Sequence, residues 1–344
     1  EKLKKNNIFP IPIEFQKKIS SNVSFSLCNI DPNEIAYKKN MEILPDHILK
    51  KYSRLFSISE KKVKKLRLLV QDFISFQQLN VSGHIGIWAG LNPEKKIIYV
   101  SFKFKCFYNS DTGKNIFKII IPLNIFLLVK KLVLKLNLFT PNEKYIQEHV
   151  ASETNNNQEI SNKEVAFLLH RGLTFGTEKY NLYEKNLYYS GDINSPLNKN
   201  NILHLEYTDC PKPKGDICWL SLDKIKFSKI NIIFKTIIGS VKTLYLIRGC
   251  KTFLGWILIM NQYYYYNKYC EIIKNFKNLK IAIIDYEALC PKTLIFAFEK
   301  NNIKTIATQE RFIHTFLKSF VNVTLDTYYA SSEFTANYMK KSKY

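Results

Sequence analysis

Short apolar runs recur in the C-terminal half of the chain, each closed by polar residues and most followed by a segment of helical character. Residues 280–285 (KIAIID) end in Asp285-Tyr286-Glu287, and a helix-like stretch, 291–300, follows and stops at Asn301-Asn302. A second run, 304–308 (KTIAT), ends in Gln309-Glu310-Arg311; a third, 326–330 (DTYYA), ends in Ser331-Ser332-Glu333 and opens another helix. Upstream, 164–169 (EVAFLL) reads as a buried strand closed by His170-Arg171-Gly172, and 201–205 and 217–222 read as two further short strands. Between Ile230 and Phe276 no strand boundary is visible, and two consecutive helices broken near Gly249 fit the pattern. Strands alternating with helices predict βαβ units and a parallel sheet. Ligands of such sheets sit beyond the carboxyl ends of the strands, which is where this chain collects its carboxylates, Gln309 and Arg311.

The first half reads differently. Residues 1 to about 58 are mixed, with Pro10, Pro12 and Pro32 as punctuation. A helix is expected from about Ser59 to Leu79, carried by Val63, Leu66, Val70, Phe73 and Ile74 at helical spacing. Residues 85–88 and 96–107 read as strands, the second with one wet face. Residues 116–138 predict a core strand followed by an amphipathic helix, because lysines interrupt what would otherwise approach a membrane span. The polar stretch 142–162 reads as a linker. The expected organisation is thus a smaller α+β region over 1–141, the linker, and a Rossmann-like α/β domain with flanking helices over 163–344.

At 344 residues and 40.4 kDa, two domains are the natural expectation. The formal charge of +22 points naively to nucleic acid or an anionic membrane. Only five residues are arginine (54, 67, 171, 248 and 311), so the excess is lysine. Readers of phosphate and bases depend on the bidentate guanidinium fork, which disfavours nucleic acid as a partner. Heavy use of Asn, Ile, Phe, Tyr and Lys fits an AT-rich codon bias. The seven cysteines form no CxxC pair, so reduced buried thiols are expected and no metal motif is seen. The chain starts at Glu1 and stops at Tyr344 inside a helix-like stretch, and it reads as part of a longer protein.

From about Lys163 onward the chain resembles bacterial GT-B-type glycosyltransferases that build capsule, lipopolysaccharide or other surface polysaccharide. The resemblance rests on VAFLLHRGLTFG at 165–176, LYEKNLYYSGDINSPLNKNNILHLEY at 182–207, and IAIIDYEALCPKTLIFAFEKNNIKTIATQERF at 281–312 followed by DTYYASSEF. In many such enzymes the penultimate strand of the N-terminal domain ends in a Gln-His-Gly-like turn; Gln309-Glu310-Arg311 keeps the glutamine and replaces the His-Gly. The resemblance implies a GT-B N-terminal, acceptor-side domain, with the donor-binding domain beginning where this chain stops. It implies a nucleotide sugar and a saccharide or lipid-linked acceptor as substrates and no metal cofactor. The lysine-rich composition and the tyrosine-bearing helices between Ile230 and Phe276 suit sugar stacking and work at the cytoplasmic face of the membrane, whose surface is a further expected partner.

Glycosyl transfer needs a base near the attacking hydroxyl and positive or dipolar groups near the departing diphosphate. His170 is a candidate base or sugar-hydroxyl partner, or else a turn histidine bonded to backbone. Arg171, Gly172 and Gly176 are substrate-binding candidates, the glycine after the first strand allowing substrate to approach the backbone closely. Asp285 and Glu287 are candidates for base and acceptor-hydroxyl anchor. Gln309, Glu310 and Arg311 would line the cleft, Arg311 being suited to phosphate or carboxylate. Ser332-Glu333 reads as a helix cap, and His204 and Glu206 as wall residues. A nucleotide-sugar epimerase of the same architecture and a basic nucleic-acid-binding protein are the competing readings.

Overall fold

The computed structural model describes residues 40–71, 97–101, 116–120, 162–169, 190–198, 200–207, 218–222, 225, 227–284, 290–308 and 324–340. The chain divides into two compact units, Glu1–Pro45 with Val70–Val133, and Asp46–Leu69 with Leu134–Tyr344. Residues 46–69, expected to belong to the N-terminal region, therefore group with the C-terminal unit. In the first unit β1 (Ile97–Ser101) and β2 (Ile116–Ile120) pair in parallel, as strands were expected at both places. The predicted strand at 85–88 and the helix after β2 lie outside the described residues.

The second unit holds a six-stranded sheet made of β3 (Val165–Leu169), β4 (Ile202–Glu206), β5 (Trp219–Ser221), β6 (Ile281–Ile284), β7 (Lys304–Thr308) and β8 (Thr327–Tyr329). Its order is β5-β4-β3-β6-β7-β8 and every pairing is parallel. This is an α/β fold of Rossmann-like topology, in which the chain works outward from β3 on one side, then crosses back and works outward on the other. Strands of a parallel sheet are covered on both faces and so read as continuous apolar runs. Val165–Leu168 and all of β4 are buried accordingly. Register puts Val165, Phe167, Ile202, Trp219, Ile281 and Ile283 on one face, where with Leu197 they form a hydrophobic cluster.

The crossing from β5 to β6 is made by α2 (Lys229–Thr243), a short 3₁₀ turn (Leu244–Leu246) and α3 (Cys250–Ile273). The expected break near Gly249 is present, and the Thr252 hydroxyl accepts hydrogen bonds from the N–H groups of Arg248 (2.8 Å) and Gly249 (3.1 Å) to open α3. The Ser228 hydroxyl accepts from Asn231 N–H to open α2. α4 (Lys292–Lys300) joins β6 to β7 and is enclosed, with Thr293 through Phe298 all buried. It stops where the sequence placed its stop: Asn302 adopts φ 57°, a left-handed conformation that asparagine tolerates. α5 (Glu333–Lys340) begins after Ser332, whose hydroxyl accepts from Thr335 N–H, the cap expected there.

Two elements depart from expectation. The stretch before residue 58 contains a helix, α1 (Asp46–Leu55), that the mixed composition concealed; Ile48, Leu49 and Tyr52 form its buried stripe. The helix expected from Ser59 instead starts as a 3₁₀ segment, Glu60–Arg67. Three residues per turn superpose Val63 and Leu66, both buried, and turn Lys62 toward Glu299 and Asp326. From Leu68 to Gln71 it is α-helical, and its expected continuation to Leu79 lies outside the described residues.

Candidate functional site

In an open parallel sheet the strand order reverses at one place, and the crevice there is the ordinary ligand site. Here that place is between β3 and β6, which run side by side with Leu168 opposite Ile284. The connection leaving β3 goes to β4 on one side; the connection leaving β6 goes to β7 on the other. The strands that follow β3 and β6 in the chain thus lie on opposite sides of this pair. Neighbouring strands lie about 4.8 Å apart, so groups leaving β3 and β6 start within reach of one small ligand.

The residues at this edge form one register row. Leu169 of β3 is opposite Glu206 of β4, which is opposite Ser221 of β5. On the other side Ile284 is opposite Ala307, one step before Thr308, which is opposite Tyr329. Beyond Leu169 the sequence continues into His170, Arg171, Gly172 and Gly176; beyond Ile284 into Asp285 and Glu287; beyond Thr308 into Gln309, Glu310 and Arg311. All nine of these sequence-predicted site residues lie outside the described residues. What is described is the strand from which each group departs, and the first two groups depart from the two strands that border the reversal.

His204 and Glu206, read from sequence as wall residues, are both fully buried on the same face of the sheet as Phe167 and Trp219. The His204 ring meets Phe167 edge-on at 6.5 Å between centroids. Its Nδ1 lies 3.3 Å from the carbonyl oxygen of Cys218, and because a carbonyl only accepts, Nδ1 carries the proton. The backbone around them is tied: His204 N–H donates to Cys218 O, and Leu222 N–H donates to Glu206 O, each at 2.8 Å. Glu206 thus sets a buried carboxyl group at the carboxyl end of the second strand of the unit, one strand from the reversal. The signal that could have raised it in the sequence is its place as the last residue of a second strand, which only the topology makes meaningful.

The opposite edge of the sheet carries a separate polar cluster. Asp326, just before β8, accepts from Thr305 N–H (2.9 Å) and its hydroxyl (3.0 Å) through Oδ2 and from Lys62 (2.9 Å) through Oδ1. Burial opposes ionisation of this carboxyl group, but the Thr305 N–H and the Lys62 ammonium outweigh it and hold its pKa below the usual value. These contacts join the start of β7 to the start of β8, far along the strands from the reversal edge, and their work is architectural. Among the described residues no group of three or more His, Cys, Asp or Glu side chains could hold a metal ion, and no helix is long and apolar enough to cross a membrane. Compared with known proteins, the chain matches no family model, no curated protein and no solved structure.

Proposed function

We propose that this protein is a glycosyltransferase that moves a sugar from a nucleotide-sugar donor to a saccharide or lipid-linked acceptor in surface-polysaccharide biosynthesis. The observation that supports it is the reversal of strand order between β3 and β6, from whose carboxyl ends the chain runs into His170-Arg171-Gly172 and Asp285-Tyr286-Glu287. In this reading Asp285 or His170 takes the proton of the acceptor hydroxyl as its oxygen attacks the anomeric carbon. The bond from that carbon to the diphosphate breaks, and the nucleoside diphosphate leaves with the electron pair. Arg311 and exposed backbone N–H groups would stabilise the leaving charge. Glu287, Gln309 and Glu310 hold sugar hydroxyls.

The epimerase reading has one observation in its favour. Dinucleotide-binding sheets of this strand order place a carboxylate at the end of the second strand on ribose hydroxyls, and Glu206 stands there. Against it, Gly172 and Gly176 in HRGLTFG do not reproduce the G-x-G-x-x-G spacing that brings backbone against a pyrophosphate. Transfer is therefore the preferred reading.

The test is release of nucleoside diphosphate by protein expressed from its complete reading frame, across a panel of nucleotide sugars, with and without membrane lipid acceptor. Acceptor-dependent release that drops by about 10²–10⁴-fold on Asp285→Asn or His170→Ala, with melting unchanged, is the expected result. Donor conversion without acceptor, together with NAD binding, would replace transfer by epimerisation. No turnover with any donor, and tight nucleic-acid binding that weakens steeply with salt, would replace both.

A further inference from the structure

Amphipathic helices in water bury the apolar stripe and expose the polar one. α2 does the reverse. Its inward side is Ile232, Thr236, Gly239 and Thr243, packed on α3: Gly239 lies against the Tyr263 ring, Asn267 Nδ2 donates to the Thr236 hydroxyl (3.4 Å), and Trp256 Nε1 donates to the Thr243 hydroxyl (3.0 Å). Its outward side carries Ile230, Phe234, Ile237, Ile238 and Val241, and the following turn adds Leu244 and Tyr245. These seven are most of the ten large apolar side chains exposed among the described residues, so the exposure is concentrated and not scattered. Ile230 is 82% exposed, Phe234 and Val241 62%, and Tyr245 64%. At about 100° per residue the outward set spans roughly a third of the helix circumference, opposite the α3 contact.

Charge selects what this face meets. Lys229 and Lys242 flank the apolar stripe on α2, and Arg248 follows the turn; all three are exposed. From Lys224 through Cys270 the sequence has no Asp or Glu, and its first acid, Glu271, is taken up by Lys235 (2.5 Å) and Lys274 (2.8 Å). A second copy of the same face would set like charges against each other. A surface that is negative at its boundary and apolar beneath fits both features.

We propose that the outward face of α2 and its following turn docks on an anionic lipid bilayer, the helix lying in the interface with its apolar residues inserted and Lys229, Lys242 and Arg248 among the headgroups. The proposal does not depend on the sugar-transfer reading, and a protein that transfers no sugar can still satisfy it. Co-sedimentation with vesicles of phosphatidylcholine containing roughly one-third phosphatidylglycerol tests it. The wild-type chain is expected to bind these vesicles and to bind phosphatidylcholine alone at least about tenfold more weakly. Phe234→Glu with Val241→Glu is expected to weaken binding at least about tenfold while leaving the circular dichroism melt unchanged, because both side chains are exposed. Lys229→Glu with Lys242→Glu should weaken it several-fold, an effect that shrinks in high salt. As a reading that needs no disruptive change, Phe234→Trp adds emission that brominated lipids in the vesicles should quench.

Failure of the wild type to bind, equal binding to both vesicle types, binding that survives Phe234→Glu with Val241→Glu, or unquenched emission from Phe234→Trp would each overturn it. So would a wild-type dimer that Phe234→Glu with Val241→Glu converts to monomer without any vesicle binding, which would make the face a self-association surface.

Discussion

Asp326 shows how a residue with no visible role in the sequence becomes a structural fastener. Its carboxylate accepts both the N–H and the hydroxyl of Thr305, a residue that is itself buried, and pairs with Lys62 from the 3₁₀ segment. Asp326→Ala leaves the Thr305 N–H to find another acceptor, and is expected to cost about 1–3 kcal/mol in urea denaturation. Because the folded-state pKa of Asp326 is lowered, its contribution is present above the ordinary aspartate pKa of about 4 and is lost as pH falls through the lowered value. Asp326→Asn should therefore lower stability at neutral pH and flatten its decline on the acid side, as read from denaturation midpoints over a pH series. At the same scale the sequence was informative about caps and stops, such as Ser332 and Asn302, because these act on their own backbone within a few residues. It was silent on Asp326, whose partners lie 21 and 264 residues away in the chain.

At the scale of elements, α2 and α3 pack closely because Gly239 has no side chain. A Cβ built there would stand 2.5 Å from Cε1 of Tyr263, whose ring is buried and held edge-on by Phe56 at 5.3 Å between centroids. Gly239→Ala gains helix propensity but forces that ring or the helix to move, and a net loss of about 1–3 kcal/mol is expected from a thermal melt. The four adjacent tyrosines of α3 point round the helix as period 3.6 requires, yet the pair Tyr263 and Tyr266 is buried and Tyr264 and Tyr265 are partly covered. Burial pushes the phenol of Tyr266 well above its usual range, and its hydroxyl donates to the carbonyl oxygen of Phe56 at 2.5 Å. Helix positions and strand runs were legible here from periodicity and stop signals. The direction each helix faces was not. α2 has apolar residues on two sides, and the sequence does not say which side meets α3. Small and hydroxyl-bearing residues decided it, since only they allow so close an approach.

At the scale of the molecule, residues 46–69 belong to the fold of the sheet unit although most of another unit separates them from it in sequence. Phe56, fully buried, sits 4.9 Å from the Tyr266 ring and 5.3 Å from Tyr263. Phe56→Ala is expected to cost about 3–5 kcal/mol and to weaken the near-ultraviolet dichroism of α3's tyrosines, measured on the intact chain. If that signal and the melt are unchanged, the early segment is not integral to this unit. The sequence by itself determined the alternation of strand and helix, the apolar character of each strand, and that polar groups gather where strands end. Those follow from local periodicity and from the burial of both faces of a parallel sheet, which leave their mark on every few residues. Strand order, the reversal between β3 and β6, the recruitment of residues 46–69 and the outward turn of α2 were decided only in three dimensions. Each is a choice among pairings of similar apolar surfaces, settled by which side chains fit together, and no short stretch of sequence records that fit.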